Sequence, residues 1–231
     1  MMKTIGLLGG MSWESTLDYY KLINSQISKE LGGFHSAKIS MVSVDFAELE
    51  ENMSKGNWSA CAKILISAAG KVENAGADCL LICTNTLHKV APQVEEAIRI
   101  PLLHIADGAG ETLVKNGIST IGLLGTRFTM EEDFYRLRLA EKYGLKVIVP
   151  NAQDRQIIDR IIFTELCMGK VKSKSRDEYV RVMEELKAMG AEAILLGCTE
   201  IAMLVTNEHT NIPLFDTTAI HAEKAVRFSL A

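Results

Sequence analysis

No stretch of this 231-residue chain holds the roughly 18 consecutive apolar residues that a membrane-spanning helix needs. That excludes an ordinary helical membrane protein, and no membrane partner is expected. A basic stripe is also missing. Lys and Arg number 25 against 29 Asp and Glu, a formal net charge of −4. The chain lacks the electrostatic footprint of a nucleic-acid binder, so no nucleic-acid partner is expected. No C-x-x-C pair occurs among Cys61, Cys79, Cys83, Cys167 and Cys198, and the five histidines show no ligand spacing. A metal site is therefore not expected, and five cysteines do not read as a disulfide framework. The glycine turn Gly9-Gly10-Met11-Ser12 is not G-x-G-x-x-G, which leaves a dinucleotide site weakly supported. No cofactor is expected. The opening residues run straight into a strand pattern without the features of a signal peptide, so the expected location is the cytoplasm.

What the chain does have is a repeat of itself. Gly76-Ala77-Asp78-Cys79-Leu80-Leu81-Ile82-Cys83-Thr84-Asn85 returns as Gly190-Ala191-Glu192-Ala193-Ile194-Leu195-Leu196-Gly197-Cys198-Thr199, 114 residues on. Lys3-Thr4-Ile5-Gly6-Leu7-Leu8-Gly9 returns as Ser119-Thr120-Ile121-Gly122-Leu123-Leu124-Gly125, and Ile100-Pro101-Leu102-Leu103 as Ile212-Pro213-Leu214-Phe215. Three blocks in one order at nearly one spacing indicate an internal duplication, with a half-length too long for a solenoid repeat.

Within each half, strand and helix patterns alternate, which predicts an α/β fold with parallel sheets covered by helices. Thr4–Leu8 reads as a buried strand, and Ser12 as the cap of a helix through Tyr19, Tyr20 and Ile23. Residues 37–45 alternate as a second strand, Trp58–Asn74 is a helix, and Cys79–Ile82 is a third strand. In the second half, Thr129 with Glu132 reads as a capping box. Residues 147–149 hold a strand, 157–166 and 179–189 are helical, and the polar run from Lys170 to Asp177 reads as a solvated loop. The short strands after Ile100 and Ile212 close the two halves and are expected to cross into the opposite lobe. The expected organisation is two similar pseudo-twofold lobes. Residues 1–100 plus 216–231 form the first and 101–215 the second, with the active site in the cleft between them.

Chemistry enters at Gly197-Cys198-Thr199-Glu200, where a thiol follows an apolar strand. Open α/β sheets place their ligands at this end of their strands. The duplication sets Thr84 opposite Cys198 and Cys83 opposite Gly197. A proton-transfer group on each wall suits inversion at one carbon, one group removing a proton and the other supplying it to the opposite face. Cysteine fits because its pKa, about 8.5 when unperturbed, falls readily at a helix N-terminus.

These residues resemble the aspartate/glutamate racemase family, whose members work without pyridoxal phosphate. The resemblance rests on Gly197-Cys198-Thr199-Glu200, on the opening Gly6-Leu7-Leu8-Gly9-Gly10-Met11, and on Phe215-Asp216-Thr217-Thr218. It covers essentially the whole chain and is nearest to the aspartate/glutamate-specific or broad-specificity branch. It implies a cofactor-independent isomerase acting on a small-molecule amino acid, and a homodimer. It also implies Cys198 as one acid/base, with Met11, Asn52, Asn85, Thr86, Thr126, Thr199 and Glu200 as substrate contacts. The family's first cysteine, in C-N-T-x-H, falls on Thr84 in Cys83-Thr84-Asn85-Thr86-Leu87-His88. The second acid/base is therefore either Thr84, or Cys83 reached through an irregular turn. Family members that take aspartate hold its side chain with an arginine and a lysine. Here no arginine precedes Arg99, and the lysine's place after Pro150 offers Arg155. A broader or neutral substrate set is then open. The competing readings are another superfamily activity (hydantoin racemase, maleate isomerase, arylmalonate decarboxylase) and a two-lobed ligand-binding module without turnover.

Overall fold

The computed structural model describes residues 2–231. The chain divides into two compact units, 1–105 with 221–231, and 106–220.

The first unit is built on three parallel strands: β1 (Ile5–Gly9), β2 (Ile39–Ser43) and β3 (Cys79–Ile82), in the order β2-β1-β3. β1 and β3 are buried along their whole length, as expected of parallel strands covered on both faces. β2 lies at the edge and is only partly covered. The first helix, α1 (Trp13–Leu31), starts at Ser12, whose hydroxyl accepts from the amide of Ser15. Its residues Tyr19, Ile23 and Ile27 recur every four positions and are fully buried. They form one core with Ile5, Leu7, Leu81 and Cys83, closed by Ala222, Ala225 and Val226. Each such buried aliphatic side chain contributes about 1.5–3 kcal/mol. Two further helices, α2 (Phe46–Ser54) and α3 (Trp58–Asn74), lie between β2 and β3, and α4 (Ala91–Ala97) follows β3.

The second unit repeats the plan after α5 (Ile105–Lys115). Its strands are β4 (Thr120–Gly125), β5 (Lys146–Ile148), β6 (Ala193–Gly197) and β7 (Leu214–Asp216), all parallel, in the order β5-β4-β6-β7. Between them run α6 (Arg127–Glu131), α7 (Asp133–Tyr143), α8 (Ala152–Thr164), α9 (Ser173–Ala188) and α10 (Ile201–Leu204), and α11 (Thr217–Leu230) ends the chain. The duplication is visible in the register. Leu8 pairs with Ile82 in the first sheet, and their counterparts Leu124 and Leu196 pair in the second. Leu102 bridges Leu80 just as Leu214 pairs with Ile194.

Several expectations from sequence are corrected. Neither closing segment crosses over: Leu102 and β7 each stay beside the strand of their own sheet. Around Ile100–His104 the strand shrinks to that single bridge. The Thr129/Glu132 capping box does not form. Thr126 caps α6 by accepting from the Thr129 amide, and Glu132 makes no side-chain cap on α7. The Lys170–Asp177 run is a loop only as far as Lys172, because α9 begins at Ser173 and buries Ser175 and Tyr179 beneath an otherwise polar turn.

Candidate active site

In both units the chemistry-bearing residues follow the carboxyl ends of two neighbouring strands. In the second unit Gly125 and Gly197 pair at the ends of β4 and β6. A Cβ on Gly125 would come 2.7 Å from the Gly197 carbonyl oxygen, and one on Gly197 would come 2.7 Å from Leu123 Cδ1. Two glycines therefore let the strands run close to their tips, and the next residues, Thr126 and Cys198, emerge side by side. Both are buried, at 5% and 7% exposure.

Cys198 Sγ donates to Glu200 Oε2 at 3.0 Å, and the Thr199 hydroxyl donates to the same oxygen at 2.7 Å. Thr199 and Glu200 are themselves buried. Burial pushes the Cys198 thiol well above the ordinary range, and the charges of Glu200 and Cys167 add to the rise. This corrects the expectation that a helix start lowers it. The helix that follows, α10, has only four residues, and a carboxylate stands where the helix end would otherwise favour a thiolate. The resting sulfur is a thiol with a proton acceptor already in contact. Glu200 therefore touches the Cys198 sulfur, a contact that the motif position alone did not reveal. Cys167, on a single helical turn at Leu166–Met168, packs against the same core as Cys198. Nothing in its sequence neighbourhood signalled that.

Arg155 is not presented as an open cation. Its Nε donates to Glu131 Oε1 at 2.8 Å and its Nη1 to the Pro150 carbonyl at 2.7 Å.

In the first unit the turn after β1 and the turn after β3 come together. Gly10 has φ +93°, and its Cβ would meet the Val44 carbonyl oxygen at 2.2 Å, so only glycine fits. Its amide donates to Thr16 Oγ1 at 2.8 Å, and that hydroxyl donates to the Ser12 carbonyl, also at 2.8 Å. The Met11–Ser12 peptide is cis, and Met11 is buried. Ser15 Oγ lies 3.2 Å from the Ser12 carbonyl and 3.5 Å from the Cys83 carbonyl, tying the two turns.

Cys83 itself turns inward. It is fully buried among Ile5, Leu7 and Leu81, its thiol faces the Leu81 carbonyl at 4.0 Å, and burial pushes its pKa far up. Thr84 is partly exposed, while Asn85 and Thr86 are buried. Asn52 lies in the last turn of α2, where its amide donates to the Glu48 carbonyl and its oxygen accepts from Asn57. Among the described residues, no three His, Cys, Asp or Glu side chains gather in a way that could hold a metal ion.

The sequence profile of the Asp/Glu/Hydantoin racemase family matches residues 8–225. The chain belongs to that family. A Yersinia pestis protein described as a candidate Asp/Glu racemase is 51% identical and superimposes at a TM-score of 0.92, with 100% of each chain covered. The aspartate racemase homologue PH1733 from Pyrococcus horikoshii OT3 is 35% identical, with a TM-score of 0.84 and again 100% of each chain covered. Among curated proteins, the broad specificity amino-acid racemase RacX of Bacillus subtilis (strain 168) is 24% identical over 176 residues, 73% of this chain and 72% of that one.

Proposed function

We propose that the protein is a cofactor-independent amino-acid racemase, an isomerase that inverts Cα by two proton transfers. The observation that carries the reading is the Cys198–Glu200 contact. The thiol proton passes from Sγ to the Glu200 carboxylate, and the resulting thiolate takes the Cα proton of the amino acid. The substrate ammonium group offsets part of the new negative charge. A second group then relays a proton to the opposite face of Cα, taking one from solvent as it gives up its own, while the Glu200 proton returns to solvent. We assign that group to Thr84, which shares the register position of Cys198. The inward-facing, desolvated Cys83 thiol supports this choice over Cys83. The engagement of Arg155 with Glu131 supports a substrate set broader than aspartate and glutamate. A homodimer working in the cytoplasm completes the proposal.

A panel of L- and D-amino acids incubated in heavy water tests it. The enzyme places deuterium at Cα of its substrates and forms the mirror image. Cys198→Ala stops exchange from L-substrates while the protein stays folded. Normal exchange in the folded variant would sink the assignment, and binding without any exchange would favour a non-catalytic binding module.

A further inference from the structure

The first unit buries three imidazoles: His88, His104 and His221 are 1%, 4% and 0% exposed. The His88 ring lies 4.4 Å from that of His104 and 6.0 Å from that of His221. Neighbouring groups fix where the His88 proton sits. Nδ1 is 2.7 Å from the Thr84 carbonyl oxygen, which can only accept, so Nδ1 carries hydrogen. The Ile105 amide, which can only donate, points at Nε2 from 3.2 Å. His88 is therefore held as the neutral Nδ1–H tautomer with both nitrogens in use. A proton added at Nε2 would face the Ile105 N–H, so the ring is poorly placed to shuttle one.

What the ring does is hold backbone. Its Nδ1–H fixes the Thr84 carbonyl, and its own main-chain amide donates to the Asn85 carbonyl at 3.1 Å. One residue thus pins two successive peptide groups where β3 ends and the short helical turn Thr86–Val90 begins. The Thr84 side chain hangs from the pinned segment.

We infer that His88 is a positioning residue for the reaction: by clamping the Thr84 and Asn85 carbonyls, it aims the Thr84 hydroxyl and carries no substrate proton itself. This inference rests on the assignment of Thr84 as the second proton-transfer group.

Two readouts from L-substrate in heavy water test it. Deuterium in recovered L-substrate needs only Cys198, whereas formation of the D-enantiomer needs the second group as well. In His88→Leu, racemisation falls about 100-fold while exchange into recovered L-substrate stays within about threefold, as expected when one reacting group is misplaced by a fraction of an ångström. In His88→Asn, the amide nitrogen takes the place of Nδ1 and donates to Thr84, so racemisation returns to within about tenfold of the parent. His88→Gln reaches the Nε2 side instead and does not rescue. Equal loss of both readouts in His88→Leu, or an Asn variant no better than the Leu variant, overturns the inference. Thr84→Ala separates the two layers. If it racemises at the parental rate, the Thr84 assignment itself fails, whatever the His88 variants do.

Discussion

His221 makes the first unit sensitive to acid, and the size of the effect follows from its surroundings. The Tyr19 hydroxyl lies 2.8 Å from Nδ1, and Nε2 donates to the Leu103 carbonyl at 2.5 Å. With the Nε2 proton committed to a carbonyl, Nδ1 is the acceptor for Tyr19. Protonating Nδ1 would place a charge in a fully buried site, beside the imidazole of His88 and within reach of the Lys224 charge. Desolvation accordingly brings the pKa down from 6.5 to about 4. Above pH 6.5 folded and unfolded chains both leave the ring neutral, and stability does not depend on it. As the pH falls below 6.5 the unfolded chain binds the proton first, so stability drops. The loss ends near pH 4, where the folded chain binds it too. At about 1.4 kcal/mol for each pKa unit, the total is roughly 3 kcal/mol. Urea denaturation of the parent and of His221→Gln, at intervals from pH 7 to pH 4, measures it. Glutamine can donate to Leu103 and accept from Tyr19 but does not titrate. The variant should be less stable at pH 7 and much flatter below it, and the two curves should converge towards pH 4. Parallel curves would refute the reasoning, because acid would then act through groups common to both proteins.

Two further outcomes follow from the second unit. Glu200→Gln removes the charge that helps to keep the Cys198 thiol protonated, so alkylation of Cys198 by iodoacetamide should begin at lower pH than in the parent. Racemisation should nevertheless fall by about tenfold or more, because the proton acceptor is lost; an unchanged alkylation profile would remove Glu200 from the mechanism. Arg155→Ala should leave the ratio of kcat/KM for acidic and neutral amino acids within about threefold of the parent, because the guanidinium is already held by Glu131 and Pro150. A selective loss of aspartate turnover would return Arg155 to the substrate.

The elements that sequence made plain are those whose pattern has a single physical reading. Trp58–Asn74 combines helical periodicity with a stop at Ala75-Gly76, and Cys79–Ile82 is a short apolar run between polar ends. Both form over those residues. The misread elements are those where two readings compete locally. Thr129 and Glu132 have the spacing of a capping box, but Thr126 comes first after β4 and takes the Thr129 amide. Residues 170–177 are polar enough for a loop, yet from Ser173 on they supply the exposed face of a helix start anchored through Ser175 and Glu165. The duplication puts Cys198 and Thr84 at equivalent places, and the matching registers of the two sheets keep that equivalence. The direction of the Cys198 pKa was not legible, since it depends on burial and on which way the Glu200 carboxylate turns. The cluster of His88, His104 and His221 draws on residues up to 133 positions apart, and no local pattern announces it.

The shared register of the two sheets bears on how such a protein can change. Ile82 and Leu196 hold matching positions, and two residues further on each strand tip presents one side chain, threonine in one unit and cysteine in the other. The backbone that presents them is laid down by residues upstream, so the tip behaves as a socket and its occupant as a replaceable reagent. With these two side chains as the proposed proton-transfer pair, handedness of the chemistry is written in single side chains rather than in the scaffold. A lineage could drift between even-handed and one-sided catalysis by point substitution alone, with no strand shifted and no core repacked.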